Sequence, residues 1–336
     1  WAEKLNSTRR YGAAAFKADD GEGSWFRDGA IFADGSPLWR MRNRYTVAYQ
    51  RAVHKYVDEE LRGDGVVLAR SGFTGTGTSF VWAGDNEASF NPAAGLPTVL
   101  VAGQTAALSG FPLWGHDVGG YLGTASEELF IRWTQFGAFS PLMLQFSQSN
   151  KGPWDYGPRG LGAYKRYSRI HIQLFPYFYT LAHDAEKDGR PLINPMALAF
   201  QGDAAASLAE DQYMLGPHLL VAPVVVASAT TRRVVLPGGV EWVSFWTGEV
   251  LEGPRAIECR APLDIIPVWV RAGAVLELLP EDVDTLAPRT RDTDRKVVSL
   301  DARRVLQVWP GEPAAGRWAE ALPKPTLNPQ PSTLNP

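Results

Sequence analysis

Three acidic groups in the 336-residue sequence could do chemistry: Asp19, Asp20 and Glu22; Asp85 and Glu87; and Asp117 beside His116. The first and third fall where a short strand is expected to end. Two carboxylates on either side of a glycosidic bond can serve as nucleophile and general acid/base, about 5–5.5 Å apart when configuration is retained. The nucleophile has to be ionised, which a nearby cation such as Lys17 or Arg70 favours. The acid has to hold its proton near neutral pH, which burial beside an aromatic ring such as Trp82 favours. Lys17 sits inside the apolar run AAAFKA, where a lysine needs a partner.

The same residues have plain structural readings. A lone Asp after a strand is more often a helix cap or turn residue than a catalyst. Trp25, Trp82, Trp114 and Trp154 are residues that more often fill a core than face a sugar, although each lies within two residues of Gly, Asp or Ser. His54, His171 and His183 fall within expected helices and read as structural. No metal site is expected: HxH, HExxH and EF-hand patterns are missing, and adjacent His116 and Asp117 point apart along a strand. The glycine-rich stretch 72–80 lacks the Lys-Ser/Thr of a phosphate-binding loop.

The elements that would position these residues alternate. Apolar runs predict strands at 13–18, 66–71, 111–116, 140–146 and 191–198. Helices are expected at 42–62, with Gly63 as a C-cap, at 97–108 with Pro in the first turn, at 126–137, and at 163–187 with a kink at Pro176. Strands alternating with helices predict a parallel sheet. Charged residues at the C-terminal ends of such strands are the habit of the (β/α)8 barrel. About five βα units can be counted, so the barrel is partial. After residue 205 short strands separated by Gly and Pro predict a β-sandwich. The expected division is therefore residues 1–205 as part of a catalytic barrel, 206–310 as a β-sandwich, and 311–336 as a proline-rich tail in which Thr-Leu-Asn-Pro occurs twice.

Composition excludes several classes. Hydrophobic residues make up 45% of the chain and charged residues 21%, which is ordinary for a folded domain. The formal net charge of −3 gives no electrostatic footprint for nucleic acid. No apolar run is long enough to predict a membrane-spanning helix. The one cysteine, Cys259, allows neither an internal disulfide nor a cysteine-based zinc site.

Taken together, the motifs resemble glycoside hydrolase family 31, the α-glucosidase and α-xylosidase family. The matching stretches include FKADDGEG (16–23), MRNRYTVAYQRA (41–52), ARSGFTGTGTSFVWAGDNEASF (69–90), LSGFPLWGHDVGGY (108–121), ELFIRWTQFGAFSPLM (128–143), DQYMLGPHLLVAPV (211–224) and APLDIIPVWVRAGAVL (261–276). They run in the family's order over residues 10–280. The resemblance implies that Asp19 is the nucleophile and Asp85 the acid/base of a double displacement that needs no cofactor. It implies that Glu22, Arg70, Trp82 and Asp117 surround an α-linked sugar, and Lys17 and Trp114 are expected to join them. It also implies a preceding β-sandwich and three further βα units, so this chain alone is expected to turn over poorly. One departure stands out. Leu144 and Phe146 occupy the positions where many members carry Arg and His, which leaves Gln145, Ser147 or Gln148 to supply polar contacts. A binding protein without catalysis is therefore the alternative, and a metal-dependent barrel hydrolase a third reading.

Overall fold

The computed structural model describes residues 2–283, 285–286 and 303–311. An N-terminal helix, α1 (Ala2–Arg9), precedes five parallel strands. These are β1 (Ala15–Ala18), β2 (Val66–Ala69), β3 (Phe80–Trp82), β4 (Trp114–Asp117) and β5 (Leu142–Leu144), hydrogen-bonded in chain order. The chain order and parallel pairing make this sheet a half-barrel. Helices α2 (Leu38–Glu60), α3 (Leu96–Leu108) and α4 (Glu127–Ala138) return the chain between strands. Two more, α5 (Gly157–Gln173) and α6 (Phe175–Asp188), follow β5. They are the halves of the single helix expected at 163–187; the break falls at Leu174, two residues before Pro176, whose ring cannot sit mid-helix without kinking it.

Helix positions follow from apolar spacing and end chemistry. In α2, Val53, Tyr56 and Val57 are buried on one side, and Val53 and Val57 pack with Ala18 and Val67 of the sheet. Beyond its C-terminus Gly63 adopts φ +77°, the left-handed conformation that ends helices. α4 begins at Ser126, whose hydroxyl accepts the Leu129 N–H at 3.2 Å, and Glu127 and Glu128 complement the dipole of its first turn. From Leu129 to Ala138 every residue of α4 is buried, because the half-barrel covers one side and the C-terminal sheets the other.

The sheet membership differs from the sequence reading at two places. Phe80–Trp82 is a barrel strand of three residues, too short for a periodic signal to reveal it. Ile193–Pro195, expected as the fifth barrel strand, is instead β6, the edge of the second sheet. That sheet is antiparallel; its other strands are β7 (Tyr213–Leu215), β8 (Leu219–Val221), β10 (Glu241–Ser244), β11 (Val250–Glu252) and β13 (Val268–Arg271). Their order across the sheet is β11-β10-β13-β8-β7-β6. β9 (Thr231–Leu236) pairs with β12 (Arg255–Arg260), and β14 (Val275–Leu278) with β15 (Val305–Val308). The partial barrel is thus followed by a β-sandwich. One continuous core joins them, with Phe130, Trp133, Phe136 and Phe139 of the α4 region packed with Leu219, Val243 and Val268.

Arg132 ties the two parts together. It is buried, and its guanidinium donates to the backbone carbonyls of Ala229 (2.9 Å), Ala261 (2.7 Å), Pro262 (3.1 Å) and Ile265 (2.9 Å). The proline-rich tail lies outside the described residues apart from Gly311. Among the described residues no helix is long and apolar enough to cross a membrane.

Candidate active site

Alternation along the strands decides which side chains meet inside the half-barrel. On β1, Phe16 packs edge-on against Tyr56 of α2, so Lys17 turns to the interior. On β4, His116 stacks on Phe136 of α4, so Asp117 turns inward. The two inward residues meet: Lys17 Nζ lies 3.1 Å from Asp117 Oδ1. Trp82, at the end of β3, places its ring 4.4 Å from the same ammonium, and Phe146, just past β5, places its ring 4.1 Å away. Both distances suit cation–π attraction. Burial pushes the Asp117 carboxyl up to about 6, against the pull of Lys17, and the charges of Asp85 and Asp19 push the same way as burial.

The second cluster is built on Arg70, directly after β2. Its guanidinium reaches four carboxylates. Nη1 lies 3.0 Å from Asp19 Oδ1 and 3.7 Å from Asp85 Oδ2, Nε donates to Glu22 Oε1 at 2.8 Å, and Nη2 donates to Asp20. The turn after β1 makes this possible. Asp20 has φ +58° and Gly21 φ +85°, which folds Asp19, Asp20 and Glu22 around one cation. A Cβ on Gly21 would stand 2.6 Å from the Tyr49 ring and 2.7 Å from Ser71 Oγ, so the turn has no room for a side chain there. Helix α2 fastens it: Thr46 Oγ1 donates to Gly21 O at 2.9 Å, and Tyr49 Oη to Asp19 O at 2.8 Å. Partial burial opposes the charge of Glu22, but hydrogen bonds from Arg70 and Trp25 outweigh it and hold the carboxyl below its ordinary range. The Arg70 guanidinium is held firmly protonated by its hydrogen bond to Glu22, against partial burial.

Asp19 and Asp85 come from different strands and share one nitrogen. Their nearer oxygens are therefore at most roughly 7 Å apart, a limit that admits the spacing of a retaining carboxylate pair. Four acids around one arginine leave the cleft negative, which suits a reaction that develops positive charge on a sugar ring.

Of the residues singled out in the sequence, Lys17, Asp19, Glu22, Arg70, Trp82, Asp85 and Asp117 converge. Trp114 does not. It shares parity with His116, and its indole lies against Gly103 of α3, where a Cβ would come within 2.7 Å of Nε1. Partners also differ from expectation. Of the two cations expected near Asp19, Arg70 pairs with it among the described residues, whereas Lys17 pairs with Asp117. The Asp85 side chain is 43% exposed rather than sunk beside Trp82. Asp20, given no role in the sequence, is the fourth carboxylate on Arg70. Gln145 donates to Lys151 O at 2.6 Å and Ser147 pairs with Ser149 at 2.9 Å, so both serve their own loop. Phe146 instead caps Lys17 and stacks on Tyr121, ring centres 5.5 Å apart. His54 is structural, bonded to Ser79 at 2.7 Å. Among the described residues no three His, Cys, Asp or Glu side chains are grouped to hold a metal ion.

Parallel strands that deliver acids and cations from their C-terminal ends, with an antiparallel sandwich behind them, are the architecture of a barrel-type hydrolase. Known proteins narrow the class. The glycosyl hydrolases family 31 TIM-barrel domain matches residues 1–181, and the glycosyl hydrolase family 31 C-terminal domain matches residues 189–276. The chain belongs to glycosyl hydrolase family 31. An isomaltosyltransferase of Sporosarcina globispora is 33% identical over 282 residues, covering 80% of this chain and 25% of that protein. An α-xylosidase of Saccharolobus solfataricus is 33% identical over 250 residues, covering 72% of this chain and 34% of its own. In structure, the cycloalternan-forming enzyme from Listeria monocytogenes, in complex with a pentasaccharide substrate, superposes with TM-score 0.78 at 30% identity over 92% of this chain and 30% of that one. The chain thus spans between a quarter and about a third of the length of these relatives.

Proposed function

We propose that the cleft is the reacting centre of a retaining α-glycoside hydrolase, with Asp19 as nucleophile and Asp85 as general acid/base. The observation that carries this reading is the convergence of Asp19 and Asp85 on Nη1 of Arg70. In the first step a carboxylate oxygen of Asp19 bonds to the anomeric carbon as the bond to the leaving oxygen breaks, and Asp85 gives that oxygen its proton. In the second, Asp85 takes a proton from water, which displaces the Asp19 ester and releases the sugar. A sugar hydroxyl in place of water gives transfer instead of hydrolysis.

The other side chains bind and orient. Asp117, ionised and paired with Lys17, accepts hydrogen bonds from hydroxyls of the reacting sugar at the floor of the cleft. The Trp82 ring and Phe146 wall that floor. Arg70 and Glu22 hold the β1 turn in the shape that presents Asp19. The substrate class is an α-linked oligosaccharide or glycoside. Support comes from relatives whose names give them α-glucosidase, α-xylosidase and isomaltosidase activities and from a Flavobacterium johnsoniae dextranase solved with glucose.

Covalent trapping tests the assignment. 5-Fluoro-α-D-glucosyl fluoride loses fluoride when a nucleophile attacks its anomeric carbon, and the ring fluorine slows the second step. Mass spectrometry of the digested chain is expected to find the fluorosugar on the peptide containing Asp19, and to find none in Asp19→Asn. Label on another acid, or no label despite calorimetric binding of an α-glucoside, rejects Asp19. The second outcome supports the reading as a binding protein, which is favoured by the turning of Gln145 and Ser147 into their own loop.

A further inference from the structure

Burial grades across the cleft. The Asp117 side chain is 3% exposed, Arg70 15% and Asp19 54%, and beyond them stands Trp25, 67% exposed. This tryptophan is oriented by bonds as well as packing. Its indole N–H donates to Glu22 Oε2 at 2.8 Å, and the Arg70 guanidinium carbon lies 5.9 Å from its ring centre. Both partners belong to the cluster that holds Asp19. A large aromatic side chain left open to water loses the gain that burial would bring. Here it is held by two charged partners in continuity with the reacting carboxylates, on the open side of the cleft from the Lys17–Asp117 floor.

We propose that Trp25 is the platform for the leaving-group sugar: a pyranose ring, α-linked to the sugar on Asp117, lays the C–H groups of one face against the indole. Glu22 fixes the indole edge and Arg70 covers part of the ring, so the platform's angle is set by the same residues that set Asp19. The inference rests on the glycosidase reading and adds to it which residue receives the second sugar. It also assigns different work to the tryptophans. Trp82 walls the floor, Trp114 packs the helix layer, and Trp25 meets substrate. An acceptor sugar in a transfer reaction would use the same platform, since it enters where the leaving group departs.

The test separates the two sugars. α-Glucosyl fluoride reacts with no sugar in the leaving-group position, whereas isomaltose and maltose fill it. Trp25→Ala is expected to lower the ratio of kcat/KM for disaccharide to that for the fluoride about tenfold, and Trp25→Phe to recover much of it, as loss and return of one aromatic contact would. A ratio within about twofold of the parent chain in Trp25→Ala overturns the proposal. A readout without turnover is 19F NMR of the 336-residue chain labelled with 5-fluorotryptophan. The line missing in Trp25→Phe is expected to move on addition of isomaltotriose. If other tryptophan lines move and that one stays, Trp25 is not the platform while the glycosidase reading stands. If no line moves and the fluoride is not hydrolysed, the glycosidase reading falls and this inference with it.

Discussion

Lys17 and Asp117 are separated by 100 residues and three strand pairings, yet their charged atoms meet at 3.1 Å across the interior of the half-barrel. The pair is the floor of the cleft. Burial pushes the carboxyl up to about 6, and Lys17 opposes that push. In the unfolded chain the same carboxyl titrates near its ordinary value of 3.8. The fold therefore keeps the proton where the unfolded chain has released it. Ionising Asp117 costs the fold stability as pH rises from below 3.8 through 6, and the cost is constant above that. Asp117→Asn has no such term. The urea-unfolding stability of the Asn variant relative to the parent is expected to rise across that window by up to about 3 kcal/mol, then level off. A pH-independent difference contradicts it.

Lys17→Met removes the opposing charge and keeps the stem. The Asp117 carboxyl is expected to titrate higher than in the parent, read from its 13C chemical shift. At neutral pH the variant is expected to lose about 3 kcal/mol, because a buried carboxylate is left unpaired.

Arg70→Met leaves Asp19, Asp20, Glu22 and Asp85 without their shared cation. Glu22 is the carboxyl that Arg70 and Trp25 hold low, against partial burial. Its titration is expected to move up in the variant. A lowered carboxyl stabilises the fold above its unfolded value of 4.5, and that stability is lost as pH falls through the folded value. The stability gap between parent and variant is therefore expected to be open at neutral pH and to narrow on acidification. Carboxyl NMR and urea midpoints read the two effects separately.

Arg132 is expected to matter to stability without touching the cleft. It serves four carbonyls of the sandwich from a helix of the half-barrel. Arg132→Ala strands those acceptors and opens a cavity, for an expected loss of about 3–5 kcal/mol in denaturant unfolding. Arg132→Lys cannot fork to four acceptors and is expected to recover only part.

Gly103→Ala tests the layer behind the site. The added Cβ would stand 2.7 Å from Trp114 Nε1 and 3.0 Å from Cε2. Neither the helix nor the indole can yield without disturbing the core, so a loss of about 1–3 kcal/mol is expected despite alanine's better helix propensity. A gain in thermal midpoint would show that α3 slides freely over β4.

Much of this architecture was legible along the chain. Apolar spacing marked α2, α3 and α4 to within a few residues, and Pro176 and Gly63 marked a break and an end, because caps and periodicity are local properties. The apolar runs also placed Asp19 and Asp117 at strand ends, where the structure has them. What stayed hidden depends on contacts between distant segments. Three residues at Phe80–Trp82 form a strand only because β2 and β4 flank them, and Ile193–Pro195 joins the sandwich only because β7 is there to pair with it. The choice of Asp117 rather than Asp19 as the partner of Lys17 was also hidden. So were the outward face of Trp114, the gathering of four acids on Arg70 and the exposure of Trp25. Sequence determines which side chains are available and which alternate along a strand. Which of two opposite faces looks into the cleft, and which charge lies within 4 Å of which, is decided when sheet and helices close on each other, since burial and Coulomb energy depend on distances that chain order does not contain.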